Sequence, residues 1–250
     1  MLKKFIPHGS FGIAVVQVFI GTSLYAGETS QDPFALLKKA TTLLQSSEYI
    51  SAKGNASTDV IDDEELKVQR NFSLEVVVQR PNKIYTIKAG DENQKSFFDG
   101  SMFTVLNTEK NVYAQKDING TIDDLVLSLE QENISAPLAD LLLSNFYELL
   151  EDATRSAKYL GETTILGQSC SHLAFRTSEI DWQVWIAMGE QATICRSLIT
   201  SKRIAGAPQY EVTFQSWNFG DQIDENIFQF SIPQDAMEVE FIPGQLGFNE

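Results

Sequence analysis

Two hydrophobic periods alternate along this chain. Over 32–46 the apolar positions Phe34, Leu36, Leu37, Ala40, Leu43 and Leu44 recur every three to four residues, which places them on one face of an α-helix. Asp32 can cap that helix, and Pro33 suits its first position, where the missing N–H removes no intrahelical bond. From Tyr49 the period shortens to two. The segments "YISAKGNASTDVI", "LKVQRNFSLEVVVQRPNKIYTIKAG", "KSFFDGSMFTVLN" and "NVYAQKD" alternate apolar with polar residues, and turns are signalled at Arg80-Pro81-Asn82, Ala89-Gly90-Asp91 and Asp99-Gly100. Antiparallel hairpins follow from that pattern.

Two helical stretches then interrupt the strands. "TIDDLVLSLEQEN" has Thr121 as its cap and acids in its first turn, while "SAPLADLLLSNFYELLED" starts at Ser135 and Pro137. The second is apolar around most of its circumference, so it must be largely covered. Strands resume with "AKYLGETTILG", "SCSHLAFRT", "DWQVWIAMG", "TICRSLITSKR" and "QYEVTFQSWNFG", and lastly "FQFSIPQDAMEVEF". Strands, two helices and strands again, with no Pro/Gly/Ser linker between them, predict one α+β domain over 27–240, an antiparallel sheet with helices packed on one face.

The ends read differently. Lys3 and Lys4 precede the apolar run "FGIAVVQVFIGTSLYA" and the polar "GETSQDP", the layout of a secretory signal cleaved after Ala26. The expectation is an exported, periplasmic protein with no stable membrane span after cleavage. Residues 241–250 are expected to form a flexible tail. The formal net charge of −15 repels phosphate backbones and anionic headgroups, which argues against nucleic acid as a partner and against attraction to a membrane by charge.

The stretch "CSHLAFRTSEIDWQVWIAMGE" holds His172, Ser171 and Asp181, the residue types of a hydrolytic triad. In a strand, however, Ser171 points away from the face that carries His172, and no G-x-S-x-G elbow occurs. Metal-ligand spacings such as C-x-x-C and H-E-x-x-H are absent, as are glycine-rich phosphate loops. No enzymatic activity, metal or cofactor is therefore expected. Cys170 and Cys195 are the only cysteines; in an oxidising compartment they form either a disulfide or two buried thiols on non-adjacent strands. Trp182 and Trp185 fall on opposite faces of one strand, so both faces there carry aromatic bulk.

The chain resembles the DUF2092 family of bacterial secreted proteins, whose fold is similar to that of the periplasmic lipoprotein carriers LolA and LolB. The likeness rests on "DPFALLKKATTLLQSSEYISAKG", "RPNKIYTIKAG", "SFFDGSMFTVLN", "SAPLADLLLSNFYELL", "GQSCSHLAFRTSEIDWQVWIAMGEQATICRSLITSK" and "FQFSIPQDA". It implies a strongly curved antiparallel sheet, a half-open β-barrel, with helices in its concave face around an apolar cavity. Carriers of that shape hold acyl chains and gate the cavity with an arginine, for which Arg80 and Arg70 are the candidates by location. The strands through 170–220 should form a meander in which Cys170 and Cys195 open strands next but one to each other, at the same end of the sheet.

The expected function is binding of a lipid, a lipoprotein acyl chain or another hydrophobic ligand, with Phe72, Phe103, Leu142, Phe146, Trp182 and Trp217 lining the cavity. A second expectation is an envelope interaction or assembly module whose core is filled by its own side chains and whose protein partner docks at Trp185 on the convex face.

Overall fold

The computed structural model describes residues 31–241 apart from 92, 133 and 135. The expected signal, 1–26, and positions 242–250 of the expected tail lie outside the described residues.

Helix α1, Pro33–Ser46, opens where the Asp32 carboxylate accepts the Phe34 N–H at 2.9 Å, and it buries Leu37, Ala40 and Leu44. Thr41 is buried with them, its hydroxyl donating to the Lys38 carbonyl. Six strands follow: β1 Tyr49–Ile61, β2 Lys67–Gln79, β3 Lys83–Gly90, β4 Gln94–Phe98, β5 Met102–Asn107 and β6 Val112–Asp117. After α2, Ile122–Gln131, and α3, Phe146–Ala153, come β7 Ser156–Ile165, β8 Gln168–Arg176, β9 Ile180–Ala187, β10 Ile194–Ser201, β11 Gln209–Phe219 and the short β12 Met237–Glu238.

All twelve strands form one sheet in the order β12-β6-β5-β4-β3-β2-β1-β11-β10-β9-β8-β7. Two meanders, β1 to β6 and β7 to β11, meet at the antiparallel β1–β11 pair. Because β6 and β7 lie in the two outer arms, the chain between them must cross the whole sheet, and it carries α2 and α3 over the concave face. One core results: Leu37, Leu44, Leu125, Val126, Phe146 and Leu150 from the helices pack on Val78, Phe98, Phe103, Leu173, Phe175, Trp182 and Val184 from both arms. At the central seam β11 gains one residue against β1, since Lys53 faces Ser216 and Gly54 faces Phe214. Such bulges bend a sheet. Gly54 is required there: a Cβ would stand 2.7 Å from the Thr213 carbonyl oxygen.

The structure corrects two expectations from the sequence. The greasy segment 135–152 is not one helix. It forms a 3-10 turn, Ala139–Leu142, and then α3, because the Ser144 N–H and hydroxyl both bind the Asp123 carboxylate in the first turn of α2. That tether holds Ser144 out of a continuous helical ladder. The last predicted strand is mostly absent: after β11 the chain runs behind the sheet, where Phe228 packs on Val77 and Tyr85, and only β12 pairs, parallel to β6. Pro233, which has no N–H to give a ladder, and Asp235, at φ 60°, interrupt the extended run.

Candidate ligand-binding hollow

Strand alternation decides which residues meet. Ser171 stands opposite Ile186 on the concave face and is buried, whereas His172 stands opposite Trp185 on the convex face. His172 Nε2 lies 2.9 Å from the Gln183 side-chain oxygen, and Asp181 holds Arg176 through two bonds of 2.7 and 2.6 Å as well as Lys202 at 3.2 Å. Arg176 above all holds the Asp181 carboxyl below the usual range. Ser171, His172 and Asp181 therefore form no relay.

The convex face of β8 to β10 is closed by its own side chains. His172 stacks on Trp185 with ring centroids 4.1 Å apart, the Arg196 guanidinium covers that indole at 5.0 Å, and Trp185 is left only 6% exposed. A bulge places both Cys195 and Arg196 between the rungs Ile194–Ile186 and Ser197–Val184. This lets Cys195 reach Cys170 over Ala187, whose small side chain leaves room, and the disulfide is formed with Cα atoms 6.7 Å apart. Sequence spacing left the pairing open because nothing in it marks the bulge.

On the concave face, between the sheet and the helices, lies a hollow of about 200 Å³; a single water needs roughly 10–15 Å³. Its floor and walls are Leu44, Ile50, Val76, Val78, Ile84 and Val105, and its roof is α2 with the segment 134–142. Of the residues expected to line a cavity, Phe103, Leu142 and Trp217 do so. Phe146 and Trp182 meet edge to face at 5.8 Å and line a neighbouring hollow of about 240 Å³ under α3. Phe72 packs with Ala56, Tyr210 and Val212 instead, outside both hollows. A third cleft, of about 370 Å³, shares the 134–139 wall with the first hollow and presents Asp59, Glu130 and Asp140. Burial, then the Glu130 charge, raises the Asp140 carboxyl above its ordinary range.

Arg80 fastens the roof. Its Nε donates to the Leu44 carbonyl near the end of α1 at 3.2 Å, and a terminal nitrogen donates to the Leu142 carbonyl at 2.9 Å. Both acceptors are helix-end carbonyls that lack an intrahelical donor. Burial lowers the Arg80 pKa, and the Asp123 charge opposes that shift. Arg70 stands opposite Thr58, beyond the lining residues. Sequence reasoning missed Lys88, Gln94 and Ser96, polar members of the lining; strand alternation is the signal that could have placed them beside Ile84.

The fold is thus an α+β half-barrel, an open, curved antiparallel sheet that encloses a mostly apolar hollow beneath helices. The chain belongs to DUF2092, described as "Predicted periplasmic protein", whose family model matches residues 34–242. No curated protein matches the sequence. Among solved structures the chain is similar to an uncharacterized conserved protein from Thermus thermophilus, at 10% identity and TM-score 0.49 over 84% of this chain and 99% of that one. It is similar to the Mycobacterium tuberculosis lipoprotein LppX at 13% identity and TM-score 0.45, covering 77% and 98%. A LolA superfamily protein from Nitrosomonas europaea matches at 7% identity and TM-score 0.39, covering 80% and 99%.

Proposed function

We propose that this protein is a non-enzymatic periplasmic binder of a lipid or another hydrophobic ligand, held in the hollow between α2, the 134–142 segment and strands β1 to β5. The observation that carries the reading is the unfilled space of about 200 Å³ walled mainly by aliphatic and aromatic side chains. Space of that kind gains most from an apolar occupant, since it offers water few polar partners. The family's periplasmic description supports the compartment. Arg80 would act as a latch, because lifting the 134–142 roof requires breaking its bond to Leu142 while the sheet's own ladder stays intact.

The three tryptophans make the test specific. Trp217 lines the hollow, Trp182 lines its neighbour and Trp185 lies on the far face. In a Trp182→Phe, Trp185→Phe variant, a brominated fatty acid should quench Trp217 fluorescence with saturation at one site. Retaining only Trp185 should abolish the quenching. Equal quenching of both variants, or none, would overturn the assignment of the hollow.

A further inference from the structure

One wall of the hollow comes from outside the sheet. The chain after β11 stays on the convex side as far as Phe230, whose ring lies 5.4 Å from that of Phe97 and 5.1 Å from that of Tyr113. It then turns between Pro233 and Ala236, where the Ala236 N–H donates to the Pro233 carbonyl at 3.2 Å and Asp235 adopts φ 60°. Beyond the turn it runs along the free side of β6, and by residue 241 it has reached the concave side. The Phe241 ring meets that of Phe103 at 6.0 Å, and both residues line the hollow.

The other walls are held firmly. Continuous antiparallel ladders join β2 to β5, and Arg80 and the Ser144–Asp123 bond tie down the roof. Segment 237–241 has two rungs, Met237 on Val112 and Glu238 on Tyr113. Its Met237 and Val239 N–H groups donate to the Asn111 and Tyr113 carbonyls at 3.1 and 2.8 Å. Those two side chains are 63% and 38% exposed, so they add little packing. Backbone bonds that water can replace contribute little net free energy, and segments with few packed contacts open locally before core strands do. Phe228 and Phe230 anchor the chain upstream of the turn, and they can stay in place while the segment beyond it leaves.

The geometry points to Phe241 as a tethered competitor for the hollow: its half-buried ring takes one end of the space, and an apolar ligand seats fully only when 237–241 peels from β6 and withdraws it. This rests on reading the hollow as a ligand site and adds to it a self-occluding side chain. A site whose open form is a minor population binds more weakly by that fraction. Removing the competitor therefore tightens binding. A ring that served as permanent wall would behave in the opposite way, because its loss strips contacts from the ligand.

Two measurements decide it, both with dodecanoate below its micellar concentration. Phe241→Ala should bind the probe about ten-fold more tightly than the native protein. In the native protein, saturating dodecanoate should speed amide hydrogen exchange across 237–241, read by mass spectrometry. Should Phe241→Ala not fold, Val239→Pro takes its place: it keeps the ring, removes the bond to Tyr113 and should also tighten binding. If the variant binds equally or more weakly, or if dodecanoate slows exchange across 237–241 or leaves it unchanged, Phe241 is a fixed wall; the competitor is overturned and the hollow stands as the site. If dodecanoate binds neither native protein nor variant, both readings fall.

Discussion

A half-buried cation that finds two orphaned carbonyls does more than one on the surface can. Each hydrogen bond from Arg80 is charge-assisted, and such bonds contribute roughly 1.5–3 kcal/mol. Arg80→Met keeps much of the aliphatic stem and should lower stability by about 2–3 kcal/mol, read as the urea midpoint. It should also speed probe uptake in stopped-flow mixing, since the roof loses its latch. His172 makes a pH prediction. Burial chiefly, and then Arg196, depress its pKa below the ordinary 6.5, against the bond to Gln183 that raises it. The unfolded chain then binds a proton that the folded chain refuses, so stability falls as pH drops below about 6.5. Asp140, with its raised carboxyl, contributes the opposite slope at lower pH. Thermal melts of His172→Gln and the native protein should converge as pH falls from about 7.5 to about 5.5; parallel curves would exclude the assignment.

At the scale of elements, the seam between β1 and β11 is where the two meanders are most vulnerable. Gly54→Ala drives a methyl onto the Thr213 carbonyl, and overpacking of this kind costs about 1–3 kcal/mol. Differential scanning calorimetry should show the lower melting temperature. The disulfide closes a separation of 25 residues, which the chain-entropy relation converts to roughly 3.5 kcal/mol. Cys170→Ala with Cys195→Ala should therefore lower stability in urea by about that amount. Much of this layer was legible from spacing. Asp32, Pro33 and Thr121 announced two helix starts, and period-two alternation placed β1 on its observed residues because one face of that strand is buried. What alternation could not reveal were events that break it. The Cys195/Arg196 bulge and the Asp123 tether that splits 135–152 depend on partners distant in the chain. The same blindness explains the site: Phe103, Leu142 and Trp217 drew notice as bulky apolar residues, whereas the polar Lys88 and Gln94 drew none, and only the strand register puts them on the same face as Ile84.

At the scale of the whole molecule, the chain uses both faces of one sheet. Helices cover the concave side, and the segment after β11 straps the outside of β2 to β4 through Phe228, which is 1% exposed. Removing a buried phenylalanine of this kind costs about 3–5 kcal/mol. Phe228→Ala should be destabilised to that extent in urea, yet keep its probe affinity while folded, because the strap and the hollow lie on opposite sides of the strands. The staple made by Cys170 and Cys195 is equally one-sided. It cross-ties β8 to β10, in the arm that contributes least to the hollow, whereas β2 to β5 are joined without a covalent link, by their backbone ladder, by side-chain contacts such as Tyr85 on Phe97 and by the Phe228 strap. A half-barrel so built carries its one covalent staple in the arm away from the hollow, so under the proposed binding reading reduction of the disulfide should lower stability while leaving the walls of the hollow in place.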